Sequence, residues 1–201
     1  MDILTQGVIG AALPLATRHK KQAATAAALG FLAGLAPDLD ALIRSSEDSL
    51  MFLEFHRHFT HSLFFIPVGS AAVAGVAYGV GRRWLSLSIW KIWLFCALGF
   101  GTHGLLDAAT SFGTSLLWPV SETRFSLSIV SIIDPVLTLP LLALVGAGML
   151  KRDGRYGRAA MIWAVFYLSA AGYQQLQARG MAEALAKSRG HEDVRLVVKP
   201  T

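Results

Sequence analysis

The residues of this chain that are best suited to bind an ion or to catalyse a reaction are histidines and aspartates, which lie in an otherwise apolar sequence. Half of the six histidines, His56, His58 and His61, fall in one short stretch directly before an apolar run. Imidazole nitrogens and carboxylate oxygens are the usual ligands of zinc and of several other divalent ions. The stretch therefore predicts either a metal site or, as the simpler alternative, a basic anchor at a membrane boundary.

Two aspartates precede this stretch, in the motif Pro37-Asp38-Leu39-Asp40. Carboxylates two residues apart repel each other unless a cation or a proton lies between them. Taken alone, the motif is best explained as a solvated turn at the end of a helix that Pro37 terminates. Taken with the histidines that follow, it indicates further oxygen ligands for the same ion.

A second pair, His103 and Asp107, lies farther along the chain. The spacing of four residues places both side chains on one face of a helix, one turn apart. Such a pair can chelate one ion, or the aspartate can orient a histidine that binds it. A purely structural hydrogen bond between the two is the alternative.

Two more residues are predicted to take part in catalysis, Asp134 and Arg57. Asp134 directly precedes Pro135, so it is either the N-cap of a helix or a general base or further carboxylate ligand. Arg57 carries a planar guanidinium that can bind a phosphate or carboxylate oxygen in a bidentate manner.

The composition predicts the elements that must position these residues. Hydrophobic residues make up 54% of the 201 and charged residues only 15%, with a mean hydropathy of +0.50. Ordinary globular domains are roughly 45–50% apolar and about 25% charged. These values exclude a disordered chain, a coiled coil and most soluble enzymes, and they predict an all-α integral membrane protein.

The apolar residues form about six segments, which predicts a six-helix bundle in residues 1–173, followed by a polar tail at 174–201. The segments are Ile3–Ala16, Gln22–Ala36, Ser62–Val80, Ile92–Ser111, Ile129–Leu150 and Ala159–Tyr173. A full span needs about 20 residues, with roughly 17 as the lower limit, so only the third, fourth and fifth segments qualify. The first two are predicted to be short. The small-residue motifs Gly30/Gly34 and Gly75/Gly79 favour close helix contacts.

The basic residues predict the orientation of the bundle. They cluster in three connections between apolar segments, at Arg18/Lys20/Lys21, at Arg82/Arg83 and at Lys151/Arg152/Arg155/Arg158. Threading six segments through a bilayer places all three clusters on one face, which the positive-inside rule makes cytoplasmic. The candidate ligands then share the opposite, periplasmic end of the bundle. There is no basic-aromatic surface typical of nucleic-acid binding.

Several motifs in order also resemble a known family. They are Asp2-Ile3-Leu4-Thr5-Gln6-Gly7, Pro37-Asp38-Leu39-Asp40, His56-Arg57 with Thr60-His61-Ser62, His103 with Leu106-Asp107, Trp118-Pro119, Arg124-Phe125 and Ile133-Asp134-Pro135. In these the chain resembles the YdjM-like, LexA-regulated family of bacterial inner-membrane proteins described as metal-dependent hydrolases. The resemblance covers nearly the whole chain. It implies a metal-ligand set of Asp38, Asp40, His56, His61, His103 and Asp107.

The chain departs from that family pattern at two positions. His58 stands where the family often has glycine, so the resemblance gives it no ligand role. Gln6 stands where many members have histidine, so the first segment is expected to contribute no ligand.

Together these features predict a metal-dependent hydrolase in the bacterial inner membrane, with several membrane passes. One or two divalent ions, zinc first among them, would activate water at the periplasmic edge of the bilayer. By analogy with zinc phospholipases, the leading substrate is a lipid phosphoester, with membrane lipid as the surrounding partner and the oligomeric state open. The alternative is a metal-binding membrane protein that serves interaction or transport without hydrolysis. Transport predicts polar residues in both halves of the spans, and the cytoplasmic halves here carry almost none.

Overall fold

The computed structural model describes residues 1–17, 20–43, 56–81, 83, 85–191 and 198–200. Arg18 and Arg82, which belong to the basic clusters used above to orient the chain, lie outside the described residues, as does most of the chain beyond residue 191.

The described residues form six α-helices joined by short 3₁₀ turns and loops. These are α1 (Ile3–Ala16), α2 (Ala23–Leu35), α3 (Ile66–Gly81), α4 (Ile89–Ala108), α5 (Pro135–Lys151) and α6 (Gly154–Ser188). Among the described residues, β-structure is limited to one isolated bridge between Thr114 and Phe125. The predicted all-α membrane fold is therefore confirmed.

In the part of the chain that the structure describes, three helical segments are long and apolar enough to cross a membrane: Ala23–Leu42, Leu63–Gly81 and Ile89–Ala108. The second and third correspond to predicted spans. The first was predicted to be too short, and this was wrong because a 3₁₀ turn, Ala36–Leu42, continues α2 beyond Pro37. Proline lacks the N–H that an interior helical position donates, but it is tolerated in the first turn of a new helical segment.

The predicted full-length segment Ile129–Leu150 contains a shorter helix. Its first residues instead pair with the residue that caps α4, since Ile129 and Val130 donate backbone hydrogen bonds of 2.9 and 3.3 Å to the carbonyl of Ala109. Helix α5 begins only at Pro135. Helix α6 extends beyond the last apolar segment, Ala159–Tyr173, into the predicted polar tail at 174–201 and ends at Ser188.

Glycines allow α1, α2 and α4 to pack so closely that their backbones are in contact. A methyl group added at Gly30 would overlap the carbonyl of Gly10 in α1, and one added at Gly99 in α4 would overlap the carbonyl of Gly30. The predicted close contact at Gly30/Gly34 is therefore present. At Gly75 and Gly79 an added methyl group would have no described neighbour within 4 Å.

Two apolar clusters flank this centre. One joins α1 to α5 and α6 through side chains such as Leu15, Leu137 and Leu141. The other joins α2, α3 and α4 through Leu29, Ile92 and Phe95. The polar residues predicted to do chemistry lie where α2 and α4 end.

Candidate metal centre

Four of the predicted ligands converge at one point. Asp38 lies on the 3₁₀ turn after α2, His61 ends the 3₁₀ turn Phe59–His61, and His103 and Asp107 stand one turn apart on α4. Each offers one ligand atom, and these atoms all lie within 4.8 Å of one another. The two histidines and Asp107 are buried, whereas Asp38 is partly exposed.

The separations of these atoms match those around a four-coordinate ion. The Nε2 atoms of His61 and His103 are 3.0 Å apart. Asp107 Oδ2 lies 3.2 and 3.6 Å from the two nitrogens of His61 and His103. Asp38 Oδ1 lies 3.6 and 3.3 Å from the same two atoms. Bonds of about 2.0–2.1 Å in tetrahedral geometry, as around zinc, place neighbouring ligand atoms about 3.3 Å apart, so these five separations are compatible with a four-coordinate divalent ion.

The hydrogen bonds around the two histidines direct both Nε2 atoms toward the shared point. His103 Nδ1 lies 2.6 Å from the carbonyl oxygen of Gly34, which can only accept, so this nitrogen carries the proton. Its Nε2 is left with a free lone pair. Such an outer partner fixes the tautomer and the orientation of a metal-binding histidine.

His61 is held in a similar way through Thr60. The Thr60 hydroxyl donates to Asp40 Oδ2 at 2.7 Å, and its oxygen lies 2.9 Å from His61 Nδ1. Because that hydroxyl proton is already engaged, His61 Nδ1 is the donor in the second bond. The Nε2 lone pair of His61 therefore also faces the centre.

Without a metal, a proton takes the place of the cation. Burial lowers the pKa of His61, but hydrogen bonding to Asp107, Asp38 and Asp40 outweighs burial and raises the pKa to about 10. The carboxylates thus make the centre strongly attractive to positive charge. A divalent ion and this proton compete for the same nitrogen.

The two oxygens of Asp107 have different partners. Its Oδ1 accepts a 2.9 Å hydrogen bond from the Gln6 amide and also contacts the Met1 ammonium group. Its Oδ2 is buried and lies 3.2 Å from His61 Nε2 and 3.3 Å from Arg57 Nε. A buried carboxylate oxygen is costly unless its charge is balanced, and Oδ2 is the oxygen that faces the two imidazoles. A bound cation would balance this charge further.

The other two predicted ligands, Asp40 and His56, form an adjoining group with Asp38. Asp40 Oδ1 lies 2.8 Å from His56 Nδ1, and Asp40 Oδ2 accepts a 3.0 Å bond from the backbone N–H of Arg57 as well as the bond from Thr60. Asp40 therefore mainly orients its neighbours. Since Asp38 belongs to both groups, a second ion could lie beside the first on the side where His56 is 21% exposed and Asp38 25% exposed.

Arg57 borders the centre but does not belong to the ligand groups. Its backbone adopts a left-handed conformation with φ of 62°, which turns the chain between His56 and Thr60. The guanidinium donates a 3.1 Å hydrogen bond to Thr110, lies 3.3 Å from Asp107 Oδ2 and stacks over the Phe112 ring at 5.1 Å. A fixed positive charge therefore stands at the edge of the carboxylate cluster.

Asp134 lies outside both ligand groups. Its Oδ1 accepts bonds of 3.1 Å from the backbone N–H groups of Val136 and Leu137, and its Oδ2 accepts a 2.7 Å bond from the Tyr167 hydroxyl. The helix-cap alternative is what the structure shows. A catalytic role for Asp134 stays a prediction.

Two contributors to the centre were missed in the sequence. Gln6 was noted only as the absence of a histidine, yet it is fully buried and its amide holds Asp107. The available signal was a polar side chain inside an apolar segment, which is costly unless it has a partner. Thr60, which lies between Asp40 and His61, gives no comparable signal.

Comparison with known proteins places the chain in a family. The family model of the YdjM inner membrane protein matches residues 1–178. The inner membrane protein YbcI of Escherichia coli K12 is 35% identical over 98 residues, which cover 48% of this chain and 54% of YbcI. The uncharacterized protein YfhP of Bacillus subtilis 168 is 24% identical over 110 residues, covering 55% of this chain and 32% of YfhP. No solved structure matches the chain.

The chain therefore belongs to the YdjM inner membrane protein family. Its matches span about half of YbcI and a third of YfhP.

Proposed function

We propose that the protein is a metal-dependent hydrolase of the bacterial inner membrane that cleaves an ester bond, with a lipid phosphoester as the leading substrate. The observation that carries the proposal is the convergence of His61, His103 and two aspartates, with donor atoms at the separations of a tetrahedral ion. In this proposal the helical segments pass through the membrane several times. The positive-inside rule, applied to the basic clusters, supports a position for the centre at the periplasmic edge.

Asp38, His61, His103 and Asp107 would hold the ion, and Asp40 and His56 would help to hold a second one. A divalent ion in such a site would lower the pKa of a bound water molecule to about 7 and would polarise the attacked oxygen. The chain's own residues supply the rest. Gly34 and Thr60 fix the imidazole tautomers, and Gln6 holds the Asp107 carboxylate in place.

Arg57 is the residue best placed to recognise an anionic substrate. Its guanidinium is held between Thr110 and the Phe112 ring, and its Nε forms a 3.3 Å ion pair with Asp107 Oδ2 at the edge of the centre. A phosphate bound at the ion would share this positive charge with Asp107. A planar guanidinium forms bidentate bonds with phosphate that a lysine ammonium does not reproduce.

A second candidate is a metal-clamped interaction protein without hydrolytic activity. Four protein ligands are the number found in closed structural zinc sites, whereas catalytic zinc sites keep a position for water. The exposure of Asp38 favours the hydrolase, because this carboxylate can yield its place or bridge to a second ion at Asp40 and His56.

The test is turnover by the purified full chain in detergent, loaded with zinc. Dilauroyl phospholipids and a soluble aryl phosphodiester would be assayed side by side for wild type, H103A and H58A. His58 is the matched control because it lies in the same loop as His61 but outside both ligand groups. We expect turnover that H103A abolishes and H58A keeps. A wild type that retains zinc but turns over neither substrate would favour the closed structural site.

A further inference from the structure

An apolar groove lies between α2 and α3 and extends to the turn that carries Asp38 and Asp40. It encloses about 700 Å³ and is lined by Leu29, Leu32 and Leu35 of α2 and by Val73, Val76 and Val80 of α3. Thr25 is the one polar side chain among its described lining residues. The groove is within the range of volumes that bind small ligands, about 300–1,000 Å³.

The two ends of the groove differ. One end is formed by Ala36 and Leu39, and Leu39 is the residue between Asp38 and Asp40. The other end is formed by Thr25 and by Leu85 after α3. At a rise of 1.5 Å per residue, the distance along the helix axis from Thr25 to Leu35 is about 15 Å. The groove is thus long, and one of its ends lies at the turn on which Asp38 and Asp40 stand.

Its walls are helices of membrane-spanning length. Both Ala23–Leu42 and Leu63–Gly81 are long and apolar enough to cross a bilayer. The side chains of Val76, Val80 and Leu39 are 69%, 72% and 63% exposed, so the groove opens sideways, toward the surroundings of the helices. In a bilayer those surroundings are hydrocarbon chains, and an uncharged groove excludes polar occupants.

We propose that this groove binds one acyl chain of a membrane phospholipid, with its phosphoester head group held at the metal centre. The assignment rests on the proposed hydrolase function and defines its substrate as a lipid that remains in the bilayer. The groove would bind the acyl chain of such a lipid, and the ion together with Arg57 would bind its phosphate.

A second groove on the opposite face of α3 supplies an internal control. It encloses about 340 Å³ and is lined by Ala71, Ala74, Gly75, Ile89, Trp90 and Trp93. None of these residues adjoins a ligand in the sequence. Ala71 and Ala72 are neighbouring exposed alanines that face the two different grooves.

The test uses the full chain in vesicles of phosphatidylethanolamine and phosphatidylglycerol, with a trace of phosphatidylglycerol that carries a diazirine in one acyl chain. After irradiation, the modified residues are mapped by mass spectrometry. We expect adducts in the α2–α3 groove to exceed those in the second groove several-fold. A72W fills the α2–α3 groove, and A71W is its matched control because Ala71 lines the second groove. A72W should reduce the groove adducts several-fold, and A71W should leave them unchanged.

V76W provides a second way to fill the groove if A72W fails to fold, and bound zinc reports whether each variant is folded. Equal labelling of the two grooves, or labelling unchanged in both folded groove variants, would overturn the proposal. The labelling needs no turnover, so groove-specific adducts on an inactive protein would support lipid binding and contradict only the hydrolase. If A72W leaves phospholipid turnover unchanged, the groove is not the binding site of the acyl chain, whereas the proposal that the protein is a hydrolase stands.

Discussion

The Nε2 atoms of His61 and His103 lie 3.0 Å apart, although the two residues are separated by 42 positions in the chain. Each ring has its Nδ1 engaged by an outer partner, Thr60 for one and the Gly34 carbonyl for the other. Two lone pairs at this distance repel each other unless a proton or a metal ion lies between them. A proton and a metal ion therefore compete for the position between these two nitrogens.

The first prediction concerns metal content. Purified wild-type protein is expected to hold at least one zinc ion, and H61A and H103A are expected to lose it, because each removes a nitrogen ligand from the shared site. Elemental analysis of protein purified without chelators measures this directly. H58A is expected to keep the metal.

Loss of an outer partner should weaken binding without abolishing it. T60V removes the hydroxyl that connects Asp40 to His61. Mutation of such partners in other metal sites lowers affinity by roughly 10- to 100-fold. Competition with a fluorescent zinc chelator would measure the change. Equal affinities for wild type and T60V would contradict the assigned tautomer of His61.

The second prediction concerns protons. The pKa of His61, raised to about 10 in the metal-free protein, means that its ring is protonated at pH 7. A zinc ligand must be neutral at Nε2, so zinc binding should release about one proton at pH 7 and become tighter as the pH rises toward 10. Calorimetric titrations in buffers of different ionisation enthalpy report the number of protons released. A binding enthalpy that is independent of the buffer would rule out this exchange.

The third prediction concerns the packing that aligns the centre. G99A places a methyl group against the carbonyl of Gly30 and should push α4 away from α2. Because Gly34 of α2 bonds His103 of α4, the change should weaken zinc binding as well as stability. Overpacking a well-packed core costs about 1–3 kcal/mol.

The matched control for G99A is G75A, since an added methyl group at Gly75 has no described neighbour within 4 Å. Thermal unfolding in detergent, followed together with bound zinc, compares the two. Equal behaviour of G99A and G75A would show that close packing of α2 and α4 is not required.

Most of the helices and the ligands that converge were predictable from the sequence, whereas the residues that orient those ligands were not. Long apolar segments identify helices because burial in hydrocarbon demands them, and the spacing of His103 and Asp107 correctly placed both on one helical face. Hydropathy alone does not reveal where an apolar segment leaves the helix. The residues before α5 pair with the end of α4 instead, and those after α2 continue as a 3₁₀ turn.

The outer partners of the site were beyond sequence reasoning for a related reason. The Gly34 carbonyl acts on His103 only because glycines let α2 and α4 approach closely. Thr60 acts on His61 through a turn whose shape depends on the left-handed backbone of Arg57. Neither relationship leaves a pattern of residue types.

The fourth prediction separates the two interpretations of Asp134. As a cap, its carboxylate bonds the first N–H groups of α5 and the hydroxyl of Tyr167 in α6. Replacing an aspartate N-cap with alanine typically costs about 1 kcal/mol. D134A should therefore lower the midpoint of thermal unfolding but leave bound zinc unchanged, and Y167F should reproduce part of the loss because it removes one of the same bonds. D134N, which keeps an oxygen for the backbone N–H groups, should lie close to wild type in stability. As a cap alone, D134N should also keep its turnover. If D134N is stable and binds zinc but has lost turnover, the carboxylate takes part in the reaction and the cap is not its only role.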